Sequence, residues 1–214
     1  NDTIAASHGD QLIFAMPIRL RRSTSSTRTI FRSAGGKFRL QLSSNGNGLN
    51  YFIWTVTRQS SSTQICNINT LTGPRLNSPR PQLLLITMDI SQTSIANKAA
   101  QMYLDDTDLL ANAPTKTYTQ PSAGQLAFAT ATEGIFFGGY ASGQQPDIEL
   151  GACYFAADQW LDASIQANRD KFKVQNLLPA YRSSGAYTDD GSTVTGTAPN
   201  IFLNGNSDTW EAPN

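Results

Sequence analysis

The stretch QLLLITMDISQTSIANKAAQMYLDDTDLL, residues 82–110, decides the fold. Leu84, Ile86 and Met88 alternate along its first part, and Met102 and Leu104 repeat the pattern after the polar segment SQTSIANK. Alternation with period 2 marks half-buried strands, and a polar turn between two of them marks an antiparallel hairpin. Asp105 and Asp106 close the second strand with a turn.

Upstream of the hairpin the same period recurs. Leu12, Phe14, Met16, Ile18 and Leu20 alternate between Gln11 and Arg21, with Arg19 and Arg21 on the opposite face. Pro17 lacks the N–H a ladder needs, so it is expected to place this strand at an edge or a bulge. Arg28 to Ser33 reads as a second strand. The glycine turn Ala34 to Gly36 then leads to a third, where Phe38, Leu40 and Leu42 alternate with Lys37, Arg39 and Gln41. Gly36-Lys37 is no phosphate loop, because the leading glycine is missing and Phe38 stands where a hydroxyl is needed. After the turn SSNGNG, residues 43–48, a strand from Asn50 to Arg58 turns Phe52, Trp54 and Val56 to the core and Tyr51 and Ile53 the other way. Ile65 to Thr70 is a short strand and Thr72 to Pro81 a proline-rich loop.

Downstream, Ala111 to Thr132 reads as loop with a short strand near Lys116 to Thr119. A strand ending at Gly138-Gly139 follows, then a Gly/Gln/Pro loop, a strand from Asp147 to Phe155, and a short helix from about Asp158 to Asp170. Asp158 is the expected N-cap, with Trp160, Leu161, Ile165 and Phe172 forming the apolar stripe. Many strands of similar length joined by polar turns imply two packed antiparallel sheets. The expected fold is all-β: a two-sheet antiparallel jelly-roll sandwich with one short C-terminal helix and an extended C-terminal tail. The expected division is a jelly roll over residues 1–172 and an irregular extension over 173–214, packed on the domain or linking to a neighbour.

A length of 214 residues suits one large β domain. Charged residues make up only 15% of the chain, and Ser, Thr, Asn and Gly are frequent, as short strands and polar turns require. The absence of any apolar run near bilayer length excludes a membrane-spanning helix. The chain begins at Asn1 without Met or a signal-peptide pattern, which reads as a trimmed or processed terminus. A net charge of zero conceals an asymmetry: residues 1–100 carry 11 Lys and Arg against 3 Asp and Glu, and residues 101–214 carry 5 against 13. Interleaved halves would compensate one another within the molecule; a bipolar surface would instead meet a complementary neighbour. Nucleic acid is not an expected partner, since the basic residues are spread over several strands and the acidic half repels phosphates. Cys66 and Cys153 lie far apart without metal-ligand spacing. They read as buried thiols, with a single bridge as the alternative.

The hairpin, with its hydrophobic strand ending in Asp, polar loop and second strand ending in an acidic turn, resembles that of laminin-G-like, concanavalin-type jelly rolls. The order glycine pair, loop, strand, helix is similar to the way such domains finish. Asp162, Ser164, Ala167-Asn168-Arg169 and Lys171-Phe172, followed by Asp190-Gly191-Ser192, Thr195 to Pro199 and Ile201-Phe202-Leu203, resemble the end of concanavalin-like domains in virion proteins of tailed bacteriophages. The resemblance implies a non-enzymatic structural or adhesion module of a phage-type virion, such as a fibre, spike or decoration component. Its implied partners are other virion subunits, in a homo- or hetero-oligomer, and a host cell-surface glycan. The alternative is a secreted or surface-borne bacterial lectin-like domain, located extracellularly, and glycoside hydrolysis comes third.

The residues of candidate chemistry are few. His8 is the only histidine and no Gly-x-Ser-x-Gly elbow occurs, which leaves no Ser-His or Cys-His site and no zinc cluster. Jelly-roll glucanases use carboxylates on one strand; Asp147 and Glu149, at i and i+2, would lie roughly 6–7 Å apart. The third acid of that pattern is missing, and Gly151, Cys153 and Phe155 would continue the face, so a solvated acidic pair is the expected role. Calcium is the cofactor that many domains of the resembled type use, and Asp105 and Asp106, beside Asp108, with Asp189-Asp190 as another acidic pair, are its candidate ligands. Neither group has the spacing of a dedicated loop, so turn residues are the expected role and no cofactor is expected, with calcium as the alternative. Tyr140 in the loop GGYASGQQPD reads first as a packed loop tyrosine; the alternative is a glycan stacked on it, with Gln144, Gln145 and Asp147 beside it.

Overall fold

Strand β1 (Gln11–Leu20) runs through the middle of the molecule. It is followed by β2 (Arg28–Ser33), β3 (Phe38–Ser44), β4 (Asn50–Thr57), β5 (Gln64–Asn69), β6 (Gln82–Asp89), β7 (Ala100–Leu104), β8 (Thr107–Asp108), β9 (Thr115–Tyr118), β10 (Ile135–Phe137), β11 (Ile148–Leu150) and β12 (Cys153–Ala157). Helix α1 (Gln166–Val174) and β13 (Ile201–Leu203) complete the order. The structure is a computed structural model that describes residues 10–22, 25–33, 38–44, 49–57, 64–92, 97, 99–118, 135–137, 146–174 and 191–203. Its strands form two antiparallel sheets: sheet A in the order β13-β12-β1-β6-β7-β8, with β11 also on β1, and sheet B in the order β10-β2-β3-β4-β5-β9.

The hairpin reads as its alternation implies. Leu84 faces Leu104, Ile86 faces Met102 and Met88 faces Ala100, and all six side chains are buried between the sheets. They meet Phe31, Phe38, Leu40, Phe52, Trp54 and Val56 of sheet B. Trp54 stands edge-on to Phe38 with ring centroids 4.3 Å apart, and Phe14 tilts against Phe31 at 4.9 Å. Aromatic pairs at such angles add to the stabilisation their buried area gives.

Sheet A has a second apolar layer on its outer face. Ile13, Ala15, Leu83, Leu85, Tyr103 and Tyr154 point away from sheet B and are covered by Leu161, Ala163, Phe172 and Val194. The chain therefore returns to the sheet after α1: β13 pairs with β12, and Asn200 Oδ1 accepts the Ala157 N–H at 2.6 Å.

Of the edge or bulge expected at Pro17, the structure shows a bulge: Pro17 lies on a central strand, β1 pairing with β6 on one side and with β11 and β12 on the other, and it stands opposite an irregularity in the neighbouring strand. Odd-numbered residues of β1 address β11 and β12, as the bonds from Asp158 N to Gln11 O and from Gly151 N to Pro17 O show. The N–H that Pro17 lacks falls where the neighbouring strand is interrupted. There the partner register moves by one residue, from Ile18 opposite Leu150 to Ala15 opposite Tyr154, so Gly151-Ala152 contains one extra residue. The expected strand from Asp147 to Phe155 is consequently two strands. Cys153 and Phe155 pack in the core between the sheets, as Ile148 and Leu150 do, and do not continue the face of Asp147 and Glu149.

The helix begins eight residues later than its composition suggests. Asp158 is in a left-handed turn at φ 61° and caps nothing helical. The chain before the helix is ordered by Asp162, whose Oδ1 accepts the Ser164 N–H at 3.0 Å in an Asx-turn. Of the four residues of the expected stripe only Phe172 is helical; Ile165 is exposed. Lys171 and Lys173 occupy the last turn, where the helix dipole favours cations.

Candidate functional site

The two outer faces differ in what they offer to a partner. On sheet A, Gln101 Oε1 accepts bonds from Thr87 Oγ1 and Ala163 N, while Gln101 Nε2 donates to Asp162 Oδ1 at 2.8 Å, tying the pre-helix turn to the strands. Arg169 is buried over the Tyr103 ring, 4.7 Å from its centroid, and donates to the carbonyls of Ala163 and Ser164 and to Asp106. Lys173 Nζ reaches both oxygens of Asp106, at 2.8 and 2.9 Å, and Asp170 at 3.1 Å. The hydrogen bond from Lys173 holds the Asp106 carboxyl below its usual range; burial opposes it, and the bond from Arg169 and the charges of both cations add to the lowering. Burial pulls Lys173 down, but its bonds to Asp106 and Asp170 outweigh this and raise it.

Sheet B turns a polar face outward. Since opposed residues of antiparallel strands share a face, the register sets out its rows. One row runs Arg32, Arg39, Thr55, Asn67, Thr117 from β2 to β9. The next runs Thr29, Gln41, Ile53, Asn69, Thr115, and beyond it Ser43 faces Tyr51, with Thr27 Oγ1 3.0 Å from Ser43 Oγ. Four strand spacings make each long row about 19 Å across. The six strands of sheet B contain Arg28, Arg32, Arg39 and Lys116 and no Asp or Glu. Hydroxyls, amides and guanidinium groups dominate the rows from β2 to β9, with Tyr51 and Ile53 among their apolar residues. Arg39 and Gln41, and Tyr51 and Ile53, already fall on outward positions in the alternation of β3 and β4. The pairing of Arg32 with Arg39 depends on the irregularity between Thr29 and Phe31, which has no signature in the sequence.

The residues singled out in the sequence are scattered. Tyr140, Gln144 and Gln145, with His8 and Asp189-Asp190, lie outside the described residues. Asp147 is exposed at the start of β11, 3.7 Å from Arg22, and its carbonyl accepts the Arg21 N–H. Glu149 sits between Arg19, at 3.6 Å, and Arg21, whose Nε donates to it at 2.6 Å. The acidic pair is thus met by Arg19 of β1 and by Arg21 and Arg22 just after it, and here basic residues of the first half do meet acidic residues of the second. Asp105, at φ 53°, accepts the Leu83 N–H through Oδ1 and faces Arg80 at 3.6 Å. Asp108 accepts the Leu110 N–H. With Asp106 engaged by two cations, this donor set does not fit a calcium ion, and among the described residues no group of three His, Cys, Asp or Glu is placed to hold a metal. Cys66 and Cys153 are both free and buried, and burial pushes both thiols far up.

Two antiparallel sheets packed face to face, with a short helix laid on the outer side of one, define a concanavalin-like jelly-roll sandwich. The native heptameric SAP-like pentraxin of Limulus polyphemus shares it: TM-score 0.54 at 12% identity, over 80% of this chain and 73% of that one. A putative carbohydrate-binding protein of Bacteroides ovatus matches with TM-score 0.50 at 13% identity over 76% of this chain, which spans 42% of that protein. No protein-family model and no curated protein matches the sequence.

Proposed function

We propose that this chain is a non-enzymatic adhesion module that binds glycans on the outer face of sheet B. The carrying observation is the chemistry of that face, with rows of Thr, Asn and Gln beside Arg32, Arg39 and Tyr51 and no carboxylate on its strands. Amides and hydroxyls on rigid strands meet sugar hydroxyls without the cost of ordering a loop, and an aromatic ring stacks on a sugar face. Likeness of fold to a carbohydrate-binding protein and a pentraxin supports this reading. The Tyr140 loop, with Gln144, Gln145 and Asp147, is the second place where a glycan would be held.

A glycan array probed with the wild-type chain, Tyr51→Ala, Asn67→Ala and Tyr140→Ala tests the proposal. Specific binding lost in the first two variants and kept in the third supports the sheet B face. Loss only in Tyr140→Ala moves the site to the loop, and no binding by the wild type rejects the lectin reading.

Membership of a phage-type virion is the finer part of the proposal. What favours an assembly role is β13: it pairs with β12 alone among the described strands and leaves an edge of sheet A to which a neighbouring strand can add. Self-association, or association with co-expressed particle proteins, that is lost on Phe202→Pro would support it; a monomer at all concentrations, indifferent to such proteins, would count against it.

A further inference from the structure

We infer that the glycan on the sheet B face carries an N-acetylated sugar, whose acetamido methyl packs on Leu49 and Leu71 while its amide meets Asn69. The inference rests on the proposed glycan-binding reading and goes beyond it by naming the class of sugar. Four large apolar side chains are strongly exposed among the described residues, and two of them stand together at one end of this face: Leu49 at 58% and Leu71 at 56%. Ile53 faces Asn69 in the register of β4 and β5, and the bond from Thr70 N to Phe52 O carries the pairing one residue further, which brings Leu71 beside Tyr51. Leu49 precedes β4 and, by the two-residue period, falls on the same side as Tyr51. Gly73 bears out the approach: a Cβ there would lie 3.0 Å from the Asn50 carbonyl oxygen and 3.1 Å from Tyr51 Cα, so the segment after Leu71 lies directly on the start of β4.

The chemistry of the bound group follows from its neighbours. Tyr51, Ile53 and Thr55 are half-buried along β4, so the two leucines mark where apolar surface can still be removed from water. A sugar hydroxyl placed against them would lose its water without gaining a partner, which disfavours a fully hydroxylated ring there. A methyl carries no such cost. Asn69 lies two residues before Leu71, roughly 7 Å along the strand direction, and its Oδ1 has no hydrogen-bond partner within the chain. The residue as a whole is half-buried, so a turn of its amide brings that oxygen to a donor on the ligand. An acetamido group meets both requirements in one substituent: an N–H for the unpartnered oxygen and a methyl for the leucines. Gln41 and Thr115, in the row of Asn69, are left for ring hydroxyls. A lipid surface, the other apolar occupant to weigh, would bring acyl chains onto these amides and hydroxyls and strip them of water.

The test uses the full chain and three probe sets: oligosaccharides ending in N-acetylglucosamine or N-acetylgalactosamine, their counterparts ending in glucose or galactose, and oligosaccharides ending in a deoxyhexose, which has a methyl and no amide. Wild type, Leu71→Ser, Leu49→Ser, Leu71→Met, Asn69→Ala and Asn67→Ala are titrated, with thermal melts to confirm folding. N-acetylated ends are expected to bind about tenfold more tightly than the plain hexoses. Leu71→Ser, Leu49→Ser and Asn69→Ala should each remove most of that preference and leave the hexose affinity unchanged, while Leu71→Met should keep it. Asn67→Ala should weaken N-acetylated and plain sugars alike, and added salt should not alter the preference. Equal binding of N-acetylated and plain sugars, both weakened in Asn67→Ala, overturns the inference and leaves the lectin reading standing. A preference for deoxyhexose ends over N-acetylated ones overturns it too, since the leucines would then act on a methyl without Asn69. Absence of all glycan binding overturns both. Binding to phosphatidylcholine vesicles, or self-association, that is lost in Leu71→Ser without any preference among the sugars overturns it in favour of a lipid or protein partner.

Discussion

The outer faces of the two sheets have opposite fates, and the strands record it. In β4 of sheet B, buried and half-buried residues alternate one by one, because one face meets the core and the other meets water. In β12 of sheet A all five residues are buried, and in β1 seven in succession, because α1, the turn before it and Val194 cover the second face. A sheet wet on one side keeps period 2, while a sheet covered on both loses it. Sheet A thus commits both faces to the fold, whereas the outer face of sheet B is largely half-buried, with Thr29 and Ser43 buried within it.

That contrast can be broken or sharpened by mutation. The largest effect is expected at Phe172, fully buried against Tyr154 with ring centroids 5.3 Å apart. Phe172→Ala should cost about 3–5 kcal/mol in chemical denaturation. Thr55→Ala, on the outer face of sheet B, should change stability by no more than about 0.5 kcal/mol. Comparable losses at the two positions would mean that the sheet B face is also a packed layer.

Next comes Arg169, which ties the covering segment down. Arg169→Met should cost about 2 kcal/mol, since it removes the bonds to Ala163, Ser164 and Asp106 and the contact with Tyr103. Native-state hydrogen exchange should show the loss concentrated in α1 and sparing β2 to β5; an equal loss of protection in sheet B would refute a local tether.

Asp106 is half exposed, so Asp106→Asn should cost less than about 1 kcal/mol at neutral pH. Its folded carboxyl titrates below the unfolded value, so its contribution is complete above the ordinary carboxylate range and is lost as pH falls through the folded value. The stability gap between wild type and variant should therefore close on acidification. A gap that persists in acid would show that the loss is one of packing.

The smallest effect has the opposite sign. Burial, with Asp89 and Asp158 nearby, raises the Asp10 carboxyl, so the folded state holds that proton more tightly than the unfolded chain does. Asp10→Asn should stabilise by a few tenths of a kcal/mol at neutral pH. The gain should shrink as pH falls through the raised value and the wild-type carboxyl takes up its proton.

How far the sequence could be read follows the same division. β3 was legible because apolar and polar residues alternate along it, and the hairpin and β4 because Leu84, Ile86 and Met88, and Phe52, Trp54 and Val56, recur at every second position. The outer layer of sheet A was not. Ile13 and Ala15 of β1 sit within the run LIFAM, and the residues that cover their face, Leu161, Phe172 and Val194, lie far along the chain, where no local pattern names a partner. The helix start was misplaced because Asp158 looks like a cap, whereas its backbone is in a left-handed turn that ends β12. Of the candidate site, Arg39, Gln41 and Tyr51 were visible as outward positions, but their assembly into rows with Arg32 and Asn67 requires the register of four strands. Asp105 and Asp106 looked like ligands because side-chain chemistry alone does not reveal that Lys173 and Arg169 approach from the helix.

The proline in β1 and the extra residue at Gly151-Ala152 fit each other as a peg fits a notch. Sliding β1 along its neighbours would bring Pro17 opposite a regular stretch of ladder, where a carbonyl would lose its donor, so each misaligned pairing carries a penalty that the native one avoids. The central strand therefore bears its own alignment mark, which discourages both shifted folding and exchange of this strand with another molecule.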